Sequence, residues 1–130
     1  MDKTIRVIYA EKIDLCRNTF PRIFESQAAH VKFVATAATY DELRVLIKKT
    51  PFDVLLMGKL YDVVPDIDVL ARVRRILPNK PIIHYRFRQT TEMLASSLAF
   101  ANAQLSHEAD ASVVIDAIEK VYAGESYFCI

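Results

Sequence analysis

Short apolar runs rich in branched residues alternate along this chain with longer stretches whose apolar positions recur at helical spacing. Ile5-Arg6-Val7-Ile8-Tyr9 reads as a buried strand, and Ile13 to Ser26 as a helix turning Leu15, Phe20, Ile23 and Phe24 inward. His30 to Thr36 sets Val31, Phe33 and Ala35 in strand-like alternation, and Tyr40 to Lys49 is helical on Leu43, Val45, Leu46 and Ile47. Asp53-Val54-Leu55-Leu56-Met57 is almost wholly apolar, as a central parallel strand covered on both faces must be. A helix near Asp66 to Leu77 stops at Pro78, and a strand follows at Pro81 to Tyr85. Next come a helix near Thr90 to Phe100 and a short strand at Ala103 to Ser106. The last helix runs from an Asp110 cap to Tyr122, with Val114, Ile118 and Val121 on one stripe and Gly124 at its end.

These elements amount to five strands alternating with five helices. Crossovers between parallel strands are almost always right-handed, so the order predicts an α/β fold, a doubly wound (βα)5 domain with a parallel five-stranded sheet. No repeat or linker interrupts residues 1–130, which read as one domain. Sites in such sheets gather at the carboxyl ends of the strands, near the point where strand order reverses. Residues 9–12, 58–61, 85–88 and 106–108 are therefore the positions to inspect.

Composition adds exclusions more than identity. At 52% hydrophobic and 25% charged the chain is an ordinary globular protein, and a formal charge of +1 gives no reason to expect nucleic acid or membrane as partner. The apolar run after Met1 is too short for a signal peptide or a membrane span, so a soluble cytoplasmic protein is expected. Cys16 and Cys129 suit a reducing compartment, and their spacing leaves a bridge between them open. Neither shows an arrangement of charges that would activate a thiol, and both read as structural or incidental. Three scattered histidines give no metal spacing, and no metal or cofactor is expected. GxSxG, P-loop and HExxH patterns are all missing, so the chain is not expected to be an enzyme. His84, inside an apolar strand, reads as a hydrogen-bonded core histidine before a pH sensor. Arg72-Val73-Arg74-Arg75 reads as a solvated helix face before a nucleic-acid contact, having no interleaved aromatics.

Three segments are more specific. Arg6-Val7-Ile8-Tyr9-Ala10-Glu11-Lys12 with Leu15, Arg17 and Ile23-Phe24-Glu25-Ser26 resembles the first strand and helix of receiver domains in LuxR-type (NarL/FixJ) response regulators. Pro51-Phe52-Asp53-Val54-Leu55-Leu56-Met57 is similar to their strand leading to the phosphoacceptor. Ala117-Ile118-Glu119-Lys120-Val121-Tyr122-Ala123-Gly124-Glu125 resembles their final helix. The resemblance spans essentially the whole chain and implies the flavodoxin-like receiver fold. It also implies a set of carboxylates for Mg²⁺, one of them a nucleophile toward phosphorus, with a hydroxyl and a lysine beyond the later strands.

The chain departs from that set at each position. Glu11 and Lys12 stand for the acidic pair, and Gly58 for the phosphoacceptor. Arg86 (or Tyr85, with the register shifted by one) replaces the hydroxyl, and His107 replaces the lysine. The resemblance therefore implies a degenerate receiver: no metal at the usual place, no acyl phosphate, and a phosphorylation-independent role in protein contact or dimerisation. A LuxR-type transcription regulator is the expected setting, with DNA reached only through a domain outside this chain. Two other readings stay open, a stand-alone adaptor and a sensor of small anions at a rim of Lys12, Lys59, Arg86, Arg88 and His107. Against the anion sensor stands an internal lock, in which Arg86 or Lys12 pairs with Glu11. Val113 and Tyr122 on the last helix are the candidate apolar contacts for a partner or a second copy. Pro21, inside the first helix, is expected to kink or alter it.

Overall fold

The computed structural model describes residues 3–61, 66–86 and 91–128. Arg88 and Cys129 fall outside them. In chain order the elements are β1 Ile5–Ala10, α1 Asp14–Gln27, β2 Val31–Ala37, α2 Tyr40–Lys49, β3 Val54–Met57 and α3 Asp66–Ile76. They continue with β4 Ile82–Arg86, α4 Thr91–Phe100, β5 Ala103–Ser106, α5 Ala111–Tyr122 and β6 Tyr127–Phe128. All strand pairs are parallel, in the order β2-β1-β3-β4-β5-β6. The order reverses between β1 and β3, so the loops after those two strands flank the switch point.

The sixth strand corrects the five-stranded expectation. Gly124 has φ of 92°, and the Glu125 N–H reaches the Lys120 carbonyl at 2.9 Å while the Gly124 N–H reaches Val121 at 3.1 Å. This is a Schellman turn, which a left-handed residue makes possible. It reverses the chain so that Tyr127 and Phe128 pair with Ala103 and Gln104 on β5. Two residues are too few to show a period in sequence.

Each sheet face carries its own core. Val7, Tyr9, Ile83 and Tyr85 pack against Phe24 of α1 and Val114, Ile118 and Val121 of α5. Ile8, Leu55, Met57 and Ile82 pack against Leu43 of α2 and Val69, Leu70 and Val73 of α3. The alternation read at β2 does not belong to one face. Val7 pairs with Phe33 and Ile8 with Ala35, so Val34 is the extra residue of a β-bulge. The bulge inverts the parity: Val31 and Phe33 join the α1/α5 core, Ala35 and Ala37 the opposite one.

Helix faces needed correction too. Phe20 and Phe24 stack at 5.8 Å on the inner side of α1. Leu15 lies about 140° round the helix from Phe20 and is 75% exposed, and Ile23 is also on the surface, at 41%. Val45, about 200° from the buried Leu43, faces outward for the same reason. Helix α1 runs through Pro21. Asp110 occupies the N-cap of α5 with extended backbone, but its side chain makes no capping bond there.

Arg74 is no part of a solvated face. Its guanidinium donates to the carbonyls of Phe100 (2.7 Å), Leu77 (2.8 Å) and Lys80 (2.8 Å) and to Asn102 Oδ1 (2.7 Å), joining the ends of α3 and α4 to the start of β4. Arg74→Met should therefore lower the unfolding free energy by about 2 kcal/mol, because charged donors would leave acceptors behind. Arg72→Met and Arg75→Met, on the exposed side, should change it by under ~0.5 kcal/mol. Urea denaturation of the three variants checks this, and equal effects would refute the staple.

Candidate functional site at the carboxyl edge

Glu11 follows β1 and Gly58 follows β3, on the two sides of the switch point. The backbone draws these loops together: the Gly58 N–H donates to the Ala10 carbonyl at 2.7 Å and the Lys12 N–H to the Lys59 carbonyl at 2.7 Å. Glu11, only 1% exposed, turns its carboxylate across this gap. Its Oε1 accepts from the Lys59 N–H at 3.2 Å and its Oε2 from the Ile13 N–H at 3.1 Å.

The consequence for Gly58 is steric. A Cβ built on Gly58 would stand 2.1 Å from Glu11 Oε1 and 3.0 Å from its Cδ. The space that a side chain at position 58 would need is filled by the carboxylate of residue 11. Among the described residues only Gly124 has a positive φ, so Gly58 is glycine for room and not for backbone freedom.

Burial pushes the Glu11 carboxyl above its ordinary value, outweighing the N–H donors of Ile13 and Lys59 and the charge of Arg86. Arg86 and His107 are joined through the backbone, the His107 N–H donating to the Arg86 carbonyl at 2.9 Å. Burial also holds His107 below the usual imidazole value, with Arg86 acting in the same sense against a backbone bond at Tyr85. The His107 ring lies 4.3 Å from that of Tyr85 and 5.2 Å from that of Phe20. The structure thus brings Glu11, Lys12, Gly58, Lys59, Arg86 and His107 to one edge of the sheet.

Arg17 was not singled out by sequence as part of this edge. Its Nη1 donates to the carbonyls of Glu11 (2.8 Å) and Lys12 (3.2 Å), and its Nη2 pairs with Asp14. It braces the β1–α1 loop from one turn inside α1, a tertiary role that leaves no local signal.

The two interface candidates part company. Tyr122 is on the surface, near Lys3, Ile5 and the His30–Glu119 contact of 2.7 Å. Val113 is half-buried and packs against the α1/α5 core, so only part of its side chain is left for a partner. His84 is a core residue, as its sequence context implied: Nδ1 lies 2.7 Å from Ser97 Oγ, and burial lowers its pKa to about 4. Cys16 is a free thiol pushed up by burial. Among the described residues no group of three His, Cys, Asp or Glu is arranged to hold a metal, and no helix is long and apolar enough to cross a membrane.

No family model and no curated protein matches the chain in sequence. Solved structures do match it in shape. The isolated REC domain of RcsB from Salmonella enterica serovar Typhimurium, determined with the phosphomimetic BeF3⁻, superposes with a TM-score of 0.84 at 15% identity over 98% of this chain and 94% of that one. A LuxR-family two-component response regulator from Aurantimonas sp. SI85-9A1 gives 0.84 at 20% identity over 96% and 89%. A structure of two RcsB dimers bound to two parallel DNAs gives 0.84 at 17% identity over 98% of this chain and 65% of that one. Likeness at these identities establishes architecture, and the architecture of this chain is that of a response-regulator receiver domain.

Proposed function

We propose that this chain is a receiver-type signalling domain that works through protein contact and takes up neither Mg²⁺ nor a phosphoryl group at its carboxyl edge. The observation that carries the reading is the Glu11 carboxylate standing in the room beside Gly58. Forming an acyl phosphate at the end of β3 needs a carboxylate nucleophile there, and Gly58 has no side chain. Magnesium needs several oxygen ligands free to turn toward it. The Glu11 oxygens already accept backbone N–H groups, and Lys12 and Lys59 adjoin them. The donor set does not fit the ion.

This geometry also favours a closed edge over the anion sensor, and the closure runs through backbone where the sequence suggests an ion pair: the Glu11 carboxylate is bonded by the backbone N–H groups of Ile13 and Lys59. The carboxylate is the anion of the site, held by backbone amides with the charge of Arg86 assisting. The transcription-regulator setting rests on the LuxR-type likeness and on RcsB, whose dimers bind DNA. In that reading this domain transmits its state through protein surfaces, and DNA is contacted by another domain.

Acetyl phosphate, or beryllofluoride, with Mg²⁺ should leave the intact mass and the amide resonances of residues 56–61 and 86 unchanged. Inorganic phosphate should leave the same resonances and the melting temperature unchanged. A Mg²⁺-dependent adduct mapped to this edge would overturn the proposal, and saturable phosphate binding lost in Arg86→Ala would restore the sensor.

A further inference from the structure

We infer that the outer face of α2 is a self-complementary surface on which a second copy of this chain docks, antiparallel, about an axis near Val45. The inference stands apart from the reading of the carboxyl edge. Asp41, Val45 and Lys49 follow one another at i, i+4 and i+8, so they form one ridge along the helix. A groove of about 470 Å³ lies on one side of that ridge, lined also by Arg44 and Lys48. Another of about 380 Å³ lies on its other side, lined also by Glu42, Leu46 and Thr36. A ridge between two grooves is the form that helices interdigitate.

The charges are arranged symmetrically about the same residue. Asp41 and Glu42 occupy the first turn, and Lys48 and Lys49 the last. Asp41 and Lys49 are equally spaced from Val45, and so are Glu42 and Lys48. A two-fold axis beside Val45 therefore sets Asp41 against the partner's Lys49, with the reciprocal pair following from symmetry, while Glu42 and Lys48 line grooves on opposite sides of the ridge and do not meet across it. Acid first and base last would also suit the helix dipole. The dipole does not account for Val45, a branched apolar side chain left 55% exposed at the midpoint of the charges. One ten-residue helix buries less than a standard interface of roughly 1,600 Å². The association is therefore weak and salt-sensitive, and attractive pairs chiefly set its orientation.

Sedimentation velocity on the full chain, from micromolar to millimolar concentration at low and high salt, reads it directly. The wild type should associate reversibly and less so at high salt. Asp41→Lys and Lys49→Asp should each weaken association roughly tenfold, with circular dichroism showing an intact fold. Mixed in equal amounts, the two variants should regain wild-type association, because every cross pair is again opposite in sign. Val45→Arg, at an exposed position, should abolish association in the wild-type background. A wild type monomeric throughout, single variants that associate undiminished, or a mixture no stronger than its parts would each overturn the inference. None of these outcomes bears on phosphate, which the mass and resonance measurements test separately.

Discussion

Gly58→Ala should lower the unfolding free energy by about 2–3 kcal/mol, and adding Glu11→Ala should remove most of that loss. One methyl group would ordinarily be harmless at a residue whose backbone is not left-handed. Here it would stand 2.1 Å from Glu11 Oε1, so the carboxylate must move. Moving it gives up the Lys59 and Ile13 N–H donors, and a displaced buried charge regains little until it reaches water. With Glu11 shortened to alanine the obstacle is gone, and the second methyl enters a space already vacated. Gly58→Asp should be worse than Gly58→Ala, because it would place two carboxylates in one gap. Urea denaturation of the two single variants and the double variant gives the coupling energy. Additivity within ~0.5 kcal/mol would mean that the two residues do not share the space.

Acidification should expose His84. Its folded pKa of about 4 lies below the ordinary 6.5 because burial disfavours the imidazolium, with Arg86 adding to the effect. The unfolded chain therefore binds this proton first as pH falls. Stability contributed by the neutral ring is complete above pH 6.5 and is lost progressively down to about pH 4. The full loss is about 3 kcal/mol, from roughly 1.4 kcal/mol per pH unit. His107, also lowered, contributes in the same sense. Glu11 opposes them: a carboxyl raised by burial favours the folded state as pH falls through its folded value toward the ordinary 4.5. The test is a difference: His84→Gln should have a visibly flatter stability profile between pH 4 and 6.5 than the wild type. Parallel profiles would show that His84 titrates alike in both states.

The alternation of elements was legible because their cores are periodic. The apolar run of β3 and the α5 stripe with Gly124 after it fall where sequence put them. What escaped was tertiary. Leu15 and Val45 look like core residues in a linear reading and are outward only by their angle from Phe20 and Leu43. The Val34 bulge preserves strand alternation while changing what the alternating residues face. Arg74 sits among arginines of which sequence offers no reason to choose one. At the carboxyl edge the departing residues could be named in advance, but the Glu11 carboxylate that fills the room beside Gly58 is bonded to Lys59, 48 residues away. The one available hint was a glycine straight after a wholly apolar strand, which marks a close approach without saying of what.

The bulge has a consequence for solubility. β2 is the last strand at its end of the sheet, and a long regular edge there would offer a template for the strands of other molecules. At Val34 the register breaks, and one residue earlier the Phe33 N–H donates to Glu25 Oε2 at 2.8 Å. Just past the strand, the Ala38 N–H is taken by Glu42 Oε1 at 2.9 Å. An incoming strand would meet an interrupted ladder flanked by carboxylates. Polymerisation through this edge is thereby discouraged, and copies that approach from this side are left to meet through their helices.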